Sequence, residues 1–339
     1  MTALLVARLA PANAVSAAEK PEMFYAEATR LGRPFAKDPS VIRFEGRYLM
    51  YHSVPPAKKG GKRGGWGARL AESSDLVHWS RVGGIVPQED YESKGLAAPG
   101  AIVLNGKVHL FYQTYGNGPR DAICHAVSED AINFERDASN PIFRPEGAWT
   151  VGRAIDAEVF PHDGMLLLYW ATRDPSMEIQ MVGVSGAPLD SDFSRDTWTQ
   201  LCDSPILRPE LSWEKRCTQA ATLCRHGGWL YIFYAGGYNN DPQQVGCAVS
   251  RDGVECQRLS DRPLLPNGSP GSWNSSESGH PGVFTDLDGT GYLFFQGNDD
   301  DGHTWHISKM YLRFDGRLPY LIRTRDGREY HLVDPDFPD

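Results

Sequence analysis

The chain has 339 residues, of which 41% are hydrophobic and 23% charged, a composition typical of globular proteins and not of disordered ones. No stretch approaches the roughly 18 consecutive apolar residues of a membrane-spanning helix, so we expect no membrane partner. The formal net charge is −9, and because such a surface repels a phosphate backbone we expect no nucleic-acid partner. The 35 Gly and 24 Pro, beside 14 Phe, 9 Trp and 14 Tyr, favour an all-β chain with many short turns.

The first 20 residues differ from the rest because they are rich in alanine and include the small-residue run 14–18. They are interpreted as a signal peptide for export to the periplasm or the cell exterior. A disordered tail is the alternative, because no basic segment precedes the apolar stretch and Arg8 interrupts it. The remaining residues, 21–339, are expected to form one domain. The six cysteines, of which Cys217 and Cys224 are the nearest pair, fit either disulfides or single buried thiols.

An internal repeat runs through the chain with a period of about 60 residues. Each copy has a short apolar strand, a turn that contains glycine and an aromatic-rich strand, which is the pattern of a β-hairpin. A third strand follows the hairpin in most copies. The five copies begin at Asp38, Ala98, Asp156, Ala220 and His280.

Five such repeats predict an all-β fold, a five-bladed β-propeller in which each repeat forms one blade. A solenoid is the weaker alternative, because its repeats are usually shorter. For closure of the ring, residues 306–314 are expected to supply the third strand of the last blade, and residues 24–34 its outermost strand.

Repeat register also predicts which side chains meet at the mouth of the central channel. Because the inner strands of a propeller line the channel, their first residues come together at one end. Two of these residues are carboxylates, Asp38 and Asp156, and a third is His280. Paired carboxyl groups across a polar funnel suit glycoside hydrolysis, since one activates water while an acid protonates the leaving oxygen. The second strands return to the same mouth and bring His52, Gln113, Arg173 and Gln296.

Four motifs follow one another along the repeats: DPSVI from Asp38, APGAI from Ala98, IDAEVF from Ile155 and SGHPGVF from Ser278. Over roughly residues 30–315 the chain resembles the five-bladed glycoside hydrolases of family 43 and their clan relatives, which include the family 117 neoagarooligosaccharide hydrolases. The resemblance implies that Asp38 is the general base and that Asp156 orients the acid and tunes its pKa. It also implies that His280 faces a metal ion, often calcium, or the waters bound to that ion in the axial channel. Since no nucleotide-binding motif occurs, we expect no organic cofactor.

The sequence departs from the family pattern in the fourth repeat. Family members usually carry the general acid, a glutamate, one residue before this repeat begins, whereas this chain has Gln219, and an amide cannot donate the proton. Glu214 is the first substitute, because it lies in a loop expected to overhang the funnel. Glu277 is the second and Glu210 the third. A histidine acid is a further alternative, since the neoagarooligosaccharide hydrolases are thought to use one.

Sugar binding requires aromatic platforms and side chains that donate several hydrogen bonds. Trp66, in the long loop of the first repeat, and Trp170, in the third repeat, are the candidate platforms, although Trp170 also fits a core position. The candidate polar contacts to an oligosaccharide or polysaccharide are His52, Gln113, Arg153, Arg173 and Gln219.

The predicted function is that of a glycoside hydrolase that acts with inversion on chain ends or short oligosaccharides, with carboxyl groups about 6.5–9.5 Å apart. A retaining enzyme, with a separation of about 5–5.5 Å, is the alternative among enzymes. From a different class, a non-catalytic carbohydrate-binding propeller fits the glutamine at position 219. The resemblance leaves arabinosides, xylosides, galactosides and anhydro-sugars open, and the sequence does not indicate an oligomeric state.

Overall fold

The computed structural model describes residues 21–56, 58–59, 62–63, 65–323, 329–332 and 335–338. Residues 1–20, interpreted above as a signal peptide or a disordered tail, lie outside the described residues. Five antiparallel sheets, one from each repeat, are arranged as a five-bladed β-propeller, so the predicted fold is confirmed. No helix in the described ranges is long and apolar enough to cross a membrane.

Each of blades 1 to 3 is a four-stranded meander. The strands of blade 1 are β1 (Lys37–Phe44), β2 (Arg47–Val54), β5 (Gly67–Ser73) and β6 (Ser80–Ile85), and a separate ribbon consists of β3 (Lys58–Lys59) and β4 (Lys62–Arg63). The strands of blade 2 are β7 (Leu96–Leu104), β8 (Lys107–Thr114), β9 (Ile123–Ser128) and β10 (Glu135–Arg136). The strands of blade 3 are β11 (Ile155–His162), β12 (Met165–Arg173), β13 (Gln180–Pro188) and β14 (Thr199–Gln200).

Blade 4 has four strands and blade 5 has five. The strands of blade 4 are β15 (Thr218–His226), β16 (Trp229–Gly236), β17 (Gln244–Ser250) and β18 (Gln257–Arg258). The strands of blade 5 are β19 (Glu277–Thr285), β20 (Gly291–Asn298), β21 (His306–Asp315), β22 (Leu318–Ile322) and β23 (Glu329–His331). Short 3₁₀ helices span Asp90–Glu92, Gly118–Arg120 and Arg195–Thr197.

All five inner strands carry a bulge at the same point of the repeat. The pairing register with the second strand shifts there, and the residue at the shift adopts a positive φ. The five residues are Asp38 (φ 55°), Ala98 (45°), Asp156 (55°), Ala220 (51°) and His280 (44°). A left-handed backbone is uncommon for residues other than glycine, and a bulge redirects the side chain it carries. The repeat therefore aims one side chain per blade at the mouth of the channel.

Two glycines mark where inner strands of adjacent blades approach most closely. A Cβ atom on Gly100 of β7 would lie 2.2 Å from the carbonyl oxygen of Ala157 in β11. A Cβ atom on Gly282 of β19 would lie 2.2 Å from the carbonyl oxygen of Pro39 in β1. Only glycine fits at such separations, because no side-chain rotation can move a backbone carbonyl away. The junction of blades 2 and 3 and that of blades 5 and 1 are therefore built alike.

The ring closes differently from the prediction. The outer strands of blade 5 come from the C-terminal segment, as β22 and β23, while the N-terminal segment contacts this blade through isolated bridges, Tyr25 to Ile307 of β21 and Phe35 to Trp305. The assignment of residues 24–34 as the outermost strand was therefore wrong, and only the third strand lies where it was expected. A short turn with Gly316 at φ 57° continues β21 directly into a hairpin with β22, so the C-terminal chain occupies that edge.

The core lies between the sheets, where apolar faces of neighbouring blades pack together. Large aromatic side chains such as Tyr51, Tyr112 and Tyr231 are fully buried there. All six cysteines lie within the described residues and are free thiols, including Cys217 and Cys224. The hydrophobic contacts between blades, and not disulfides, therefore hold the ring together.

Candidate active site

A polar pocket lies at the end of the channel where the inner strands carry their bulges. Its cavity volume is about 110 Å³, and all five blades contribute side chains to its wall. Eight of the residues singled out from the sequence line it: Asp38, Trp66, Gln113, Arg153, Asp156, Arg173, Gln219 and His280. The sequence did not indicate the other polar and aromatic side chains of the wall, which are Lys37, Tyr115, Gln180, Tyr238 and Asn239.

Asp38 is held from two sides. Its backbone N–H donates to Gln296 Oε1 at 3.0 Å, and its Oδ1 lies 3.1 Å from His280 Nδ1. The residue is 9% exposed, so the carboxyl group is nearly closed off from bulk solvent but still reaches the pocket.

Asp156 occupies the same repeat position in different surroundings. Its backbone N–H donates to Gln113 Oε1 at 2.6 Å, but its Oδ2 is buried without a hydrogen-bond partner. Burial raises the pKa of this carboxyl group, and the charge of Asp38 adds to the rise, while His280 and Arg153 act against it. A carboxyl group with a raised pKa keeps its proton to higher pH, as a general acid requires.

The second strands anchor the inner strands of the next blade. In three blades, the second-strand residue that pairs with the residue just before the bulge of the inner strand has a polar side chain. These residues are Ser53, Gln113 and Gln296. Each accepts a hydrogen bond from the backbone N–H of the bulge residue in the following blade, with Ser53 Oγ serving Ala98 at 2.8 Å. Where the bulge residue of the following blade is an aspartate, the acceptor of its N–H is thus a glutamine. Gln113, expected to contact substrate, lines the pocket and also positions Asp156.

An amide relay lies opposite, between blades 3 and 4. Arg153 Nη1 and Arg173 Nε both donate to Gln180 Oε1, at 3.3 and 3.1 Å. Gln180 Nε2 in turn donates to Gln219 Oε1. Arg153 also donates through Nε and Nη2 to Asp121 Oδ2 at 3.3 Å. Gln180 pairs with Arg173 at the open end of the β12–β13 ladder, which brings the two side chains together.

Lys37 brings a further cation to the pocket directly before Asp38. Its Nζ lies 4.2 Å from the ring centroid of Trp305, a cation–π contact. The side-chain amide of Asn239 lies 2.7 Å from this Nζ and 3.2 Å from Glu277 Oε1, so its oxygen faces the lysine and its nitrogen faces the carboxyl group. A pocket amide therefore bridges Lys37 and a buried glutamate.

Glu277, the second candidate for the acid, lies behind the wall of the pocket. It is 0% exposed and accepts hydrogen bonds from Gln296 Nε2 at 2.9 Å and from the backbone N–H of Asn240 at 2.6 Å. Burial raises its pKa to about 7, while Lys37 acts in the opposite direction. Because Gln296 binds both Glu277 and the backbone of Asp38, this glutamate supports the wall and does not face a substrate.

Glu214, the first candidate for the acid, is a structural residue. Its carboxylate accepts from Tyr234 Oη at 2.7 Å and from Arg258 Nε at 2.8 Å, and it is 0% exposed. Glu92 in blade 2 has the same kind of environment, with Tyr112 and Arg136 as its partners. The repeated Tyr–Glu–Arg cluster ties the entry loops to blades 2 and 4. The sequence-based assignment of Glu214 to the pocket is therefore corrected, and Glu210 pairs with Arg258 on the outside.

Two further predicted subsite residues also lie away from the pocket. Trp170 is 1% exposed, donates from Nε1 to Ser185 Oγ at 3.0 Å and stacks on Trp149, so it is a core residue and no sugar platform. His52 is fully buried, with Nε2 3.3 Å from Tyr25 Oη, and burial lowers its pKa to about 4. The anchoring position of β2 is Ser53, and a shift of one residue along a strand reverses the face.

The residues present do not fit a metal ion held by protein side chains. Within the described ranges, no group of three or more His, Cys, Asp or Glu side chains is arranged to hold one. Beneath the pocket, the axial channel is lined by His280, which pairs with Asp38, and by Glu158. Glu158 accepts from Thr222 Oγ1, and burial raises its pKa to about 8. The calcium ion that the resemblance implies therefore enters no step below.

The chain is thus a five-bladed propeller with two aspartates and a histidine at one mouth of its channel. The chain matches the family described as Glycosyl hydrolases family 43 over residues 31–317. This match covers most of the chain, and the chain belongs to that family.

Individual relatives are distant. The chain is 23% identical over 193 residues to alpha-L-arabinofuranosidase 43 of Humicola insolens, a match that covers 51% of this chain and 39% of that protein. It is 24% identical over 216 residues to the 1,2-beta-oligomannan phosphorylase of Thermoanaerobacter sp. (strain X514), which covers 59% of this chain and 64% of that protein. The matches thus span less than two thirds of either curated relative.

A solved structure of a thermostable family-43 glycoside hydrolase superimposes with a TM-score of 0.67. The two chains are 21% identical, and the superposition covers 90% of this chain and 96% of the other. At this identity the similarity establishes the fold, whereas activity has to be argued from the residues of the site.

Proposed function

We propose that the protein is a glycoside hydrolase that cleaves an O-glycosyl bond at the end of an oligosaccharide or polysaccharide by direct attack of water. The observation that carries the proposal is the pair of carboxyl groups in one pocket. Asp38 and Asp156 share the repeat position but differ in their partners, since one pairs with His280 and the other is buried with a free oxygen. A carboxyl group whose pKa is raised by burial, in one pocket with a carboxyl group paired to an imidazole, suits an acid and a base.

In the proposed reaction Asp156 is the general acid. Its proton passes to the glycosidic oxygen as the bond between that oxygen and the anomeric carbon breaks. Asp38 is the general base, which takes a proton from the water whose oxygen forms the new bond to the anomeric carbon. Direct displacement by water inverts the anomeric configuration. Gln219 occupies the position of the usual family acid, which is why the acid role passes to the other carboxyl group in the pocket.

The aromatic and cationic wall supports the binding of a sugar at a chain end. Trp66, Tyr115 and Tyr238 line the pocket, and aromatic rings pack well against the apolar faces of sugars. Trp66 is fixed by edge contacts to Phe35 and Tyr115, with ring centroids 5.9 and 5.6 Å apart. Because all five blades surround the pocket, we propose that it takes a chain end and not the middle of a polymer.

The test is an oligosaccharide panel followed by proton NMR, which identifies both the released sugar and its first-formed anomer. We expect a released sugar of inverted configuration and no turnover by the Asp38→Asn variant, which can still hydrogen-bond His280. Asp203→Asn, an exposed aspartate outside the pocket, is the matched control and should retain full activity. Full activity of Asp38→Asn would exclude this carboxylate as the base, and retention of configuration would exclude direct attack by water.

A carbohydrate-binding propeller without catalysis is the second candidate, and Gln219 is the observation that favours it. An amide at this position removes the group that protonates the leaving oxygen in relatives, while leaving a hydrogen-bonding surface for sugars. This candidate is supported if glycans of the panel bind to the purified protein and no reducing sugar is released from any of them.

A further inference from the structure

The charge of the pocket wall contrasts with that of the whole chain. The protein carries a formal net charge of −9, yet Lys37, Arg153 and Arg173 line the pocket against only two carboxyl groups. One of these, Asp38, is paired with His280. A cleft whose sign opposes that of the surrounding surface concentrates ligands of the other sign, which are here anions.

The cations differ in how far the protein neutralises them. Arg153 has Asp121 as an ion-pair partner, and Lys37 lies over Trp305 with the buried Glu277 behind the bridging amide. Arg173 donates to the neutral oxygens of Gln180 and of the Met177 carbonyl group, at 3.1 and 3.2 Å. Within the described residues it forms no ion pair with a carboxylate.

The amide relay explains why Arg173 remains without a counter-charge. Gln180 Oε1 accepts from both guanidinium groups, so two cations converge on one neutral atom. The next member of the relay, Gln219, is also neutral, whereas a carboxylate at that position would have supplied a negative charge. Within the described residues the hydrogen bonds of Arg173 use its Nε and Nη1, and its Nη2 makes none. A guanidinium group binds the oxygens of a carboxylate or phosphate group well, and charge-assisted contacts of this type are the strong ones.

We propose that Arg173, together with Arg153, forms a subsite for an oxyanion that belongs to the reaction, either a carboxylate carried by the terminal sugar or inorganic phosphate. The inference rests on the proposed function for the place of the glycosidic bond and of its acid, while with phosphate the attack by water would be replaced by phosphorolysis. With a uronic sugar, water remains the nucleophile and the subsite selects the substrate. With phosphate, a phosphate oxygen forms the bond to the anomeric carbon, the glycosidic bond breaks, the leaving oxygen takes its proton from the acid, and a sugar 1-phosphate is released.

Calorimetric titration at constant ionic strength tests the subsite without requiring turnover. The probes are glucuronate, galacturonate and inorganic phosphate, each compared with glucose, galactose or chloride. We expect at least one anion to bind about tenfold more tightly than its neutral counterpart. Arg173→Gln should lose this preference, while Arg251→Gln, the same change at an exposed arginine on the outer edge of blade 4, should retain it. Equal binding of all probes would overturn the proposal.

Two further measurements separate the outcomes. Arg173→Lys keeps the charge but loses the forked geometry, so its preference should be intermediate, and near-ultraviolet circular dichroism reports whether each variant is folded. If Arg173→Gln does not fold, an unchanged anion preference in Arg173→Lys would contradict the forked contact. Phosphorus NMR with glycans and phosphate distinguishes the two sources of the anion. Anion binding by Asp38→Asn without turnover by the wild type would leave the subsite standing and remove the hydrolase proposal.

Discussion

The junction of blades 5 and 1 and the junction of blades 2 and 3 have the same construction and hold aspartates that have different partners. At each, an aspartate at φ 55° sits on a bulge, a glutamine of the preceding blade accepts from its N–H, and a glycine permits the close approach of the inner strands. The partners of the carboxyl groups differ, because Asp38 has His280 and Asp156 has a buried free oxygen.

The position of each of these two carboxyl groups and its chemical role are determined by different features of the molecule. The repeat determines where the two carboxyl groups stand, since bulge, anchor and glycine recur together. The surroundings make the two differ, because Asp38 pairs with His280, the bulge residue of blade 5, whereas burial raises the pKa of Asp156. A duplicated supersecondary unit can thus supply both members of an acid and base pair.

The largest expected effect comes from removing the proposed acid. Asp156→Asn should lower kcat on oligosaccharides with poor leaving groups by about 10²–10⁴-fold and should affect activated aryl glycosides far less. The wild type should lose activity as the pH rises through the raised pKa of Asp156, because the acid must be protonated, and the variant should lack this limb. If His280→Gln shows the leaving-group dependence and Asp156→Asn does not, the histidine is the acid.

A smaller effect, on the free energy of unfolding, is expected for Glu277, which is connected to the junction of blades 5 and 1 and not to that of blades 2 and 3. Its pKa of about 7 when folded exceeds the ordinary 4.5, so the folded state holds the proton longer and stability decreases as the pH rises from about 4.5 to 7. Glu277→Gln should remove that part of the decrease, on the order of 3 kcal/mol in the free energy of unfolding. Urea unfolding of both proteins at pH 5 and 7.5 measures it. An identical pH dependence in both would contradict the raised pKa.

The positions of the pocket residues could be predicted because they follow the repeat. Asp38, Asp156 and His280 were identified by register alone, and the structure places all three on equivalent bulges at one mouth. What could not be predicted depends on contacts between distant segments. Glu214 resembles a site residue in sequence, but Arg258, 44 positions away, pairs with it outside the pocket.

The other wrong predictions concern which face of a strand a residue occupies and which end of the chain completes blade 5. His52 and Ser53 are neighbours on opposite faces of β2, and without structure the pairing that selects Ser53 is not visible. Residues 24–34 were assigned to the outermost strand of blade 5, but β21 continues through a short turn into β22, so the C-terminal segment takes that edge. Gln180 was missed because an amide carries no titration or metal-ligand signal, although it joins the two arginines.

A next test addresses the close approach that both junctions share. Gly100→Ala and Gly282→Ala should each lower the free energy of unfolding by about 1–3 kcal/mol, because the added methyl group meets a backbone carbonyl oxygen that cannot rotate away. Gly83→Ala is the matched control, since its Cβ would have ordinary contacts and no positive φ. It should be neutral or slightly stabilising. Thermal unfolding of the three variants measures the change in stability. Equal shifts of Tm in all three would show that the junctions tolerate a side chain.

The smallest expected effect is the loss of kcat on replacing the two anchoring glutamines, Gln113 and Gln296, and it should differ between them. Gln113→Ala removes the acceptor for the N–H of Asp156, and Gln296→Ala removes the acceptor for Asp38 together with the amide that donates to Glu277. We expect about tenfold lower kcat with little change in KM for Gln113→Ala, and a larger loss for Gln296→Ala because a second buried group loses its partner.

The pH profile distinguishes positioning of the carboxyl group from a loss of stability. Gln113→Glu retains an oxygen that accepts from the N–H of Asp156 and adds a negative charge beside the carboxyl group. The pKa of Asp156 should rise further, so the high-pH limb of the activity should move to higher pH while kcat at its maximum recovers relative to Gln113→Ala. An unmoved limb would mean that Gln113 supports the fold of the junction without acting on the acid.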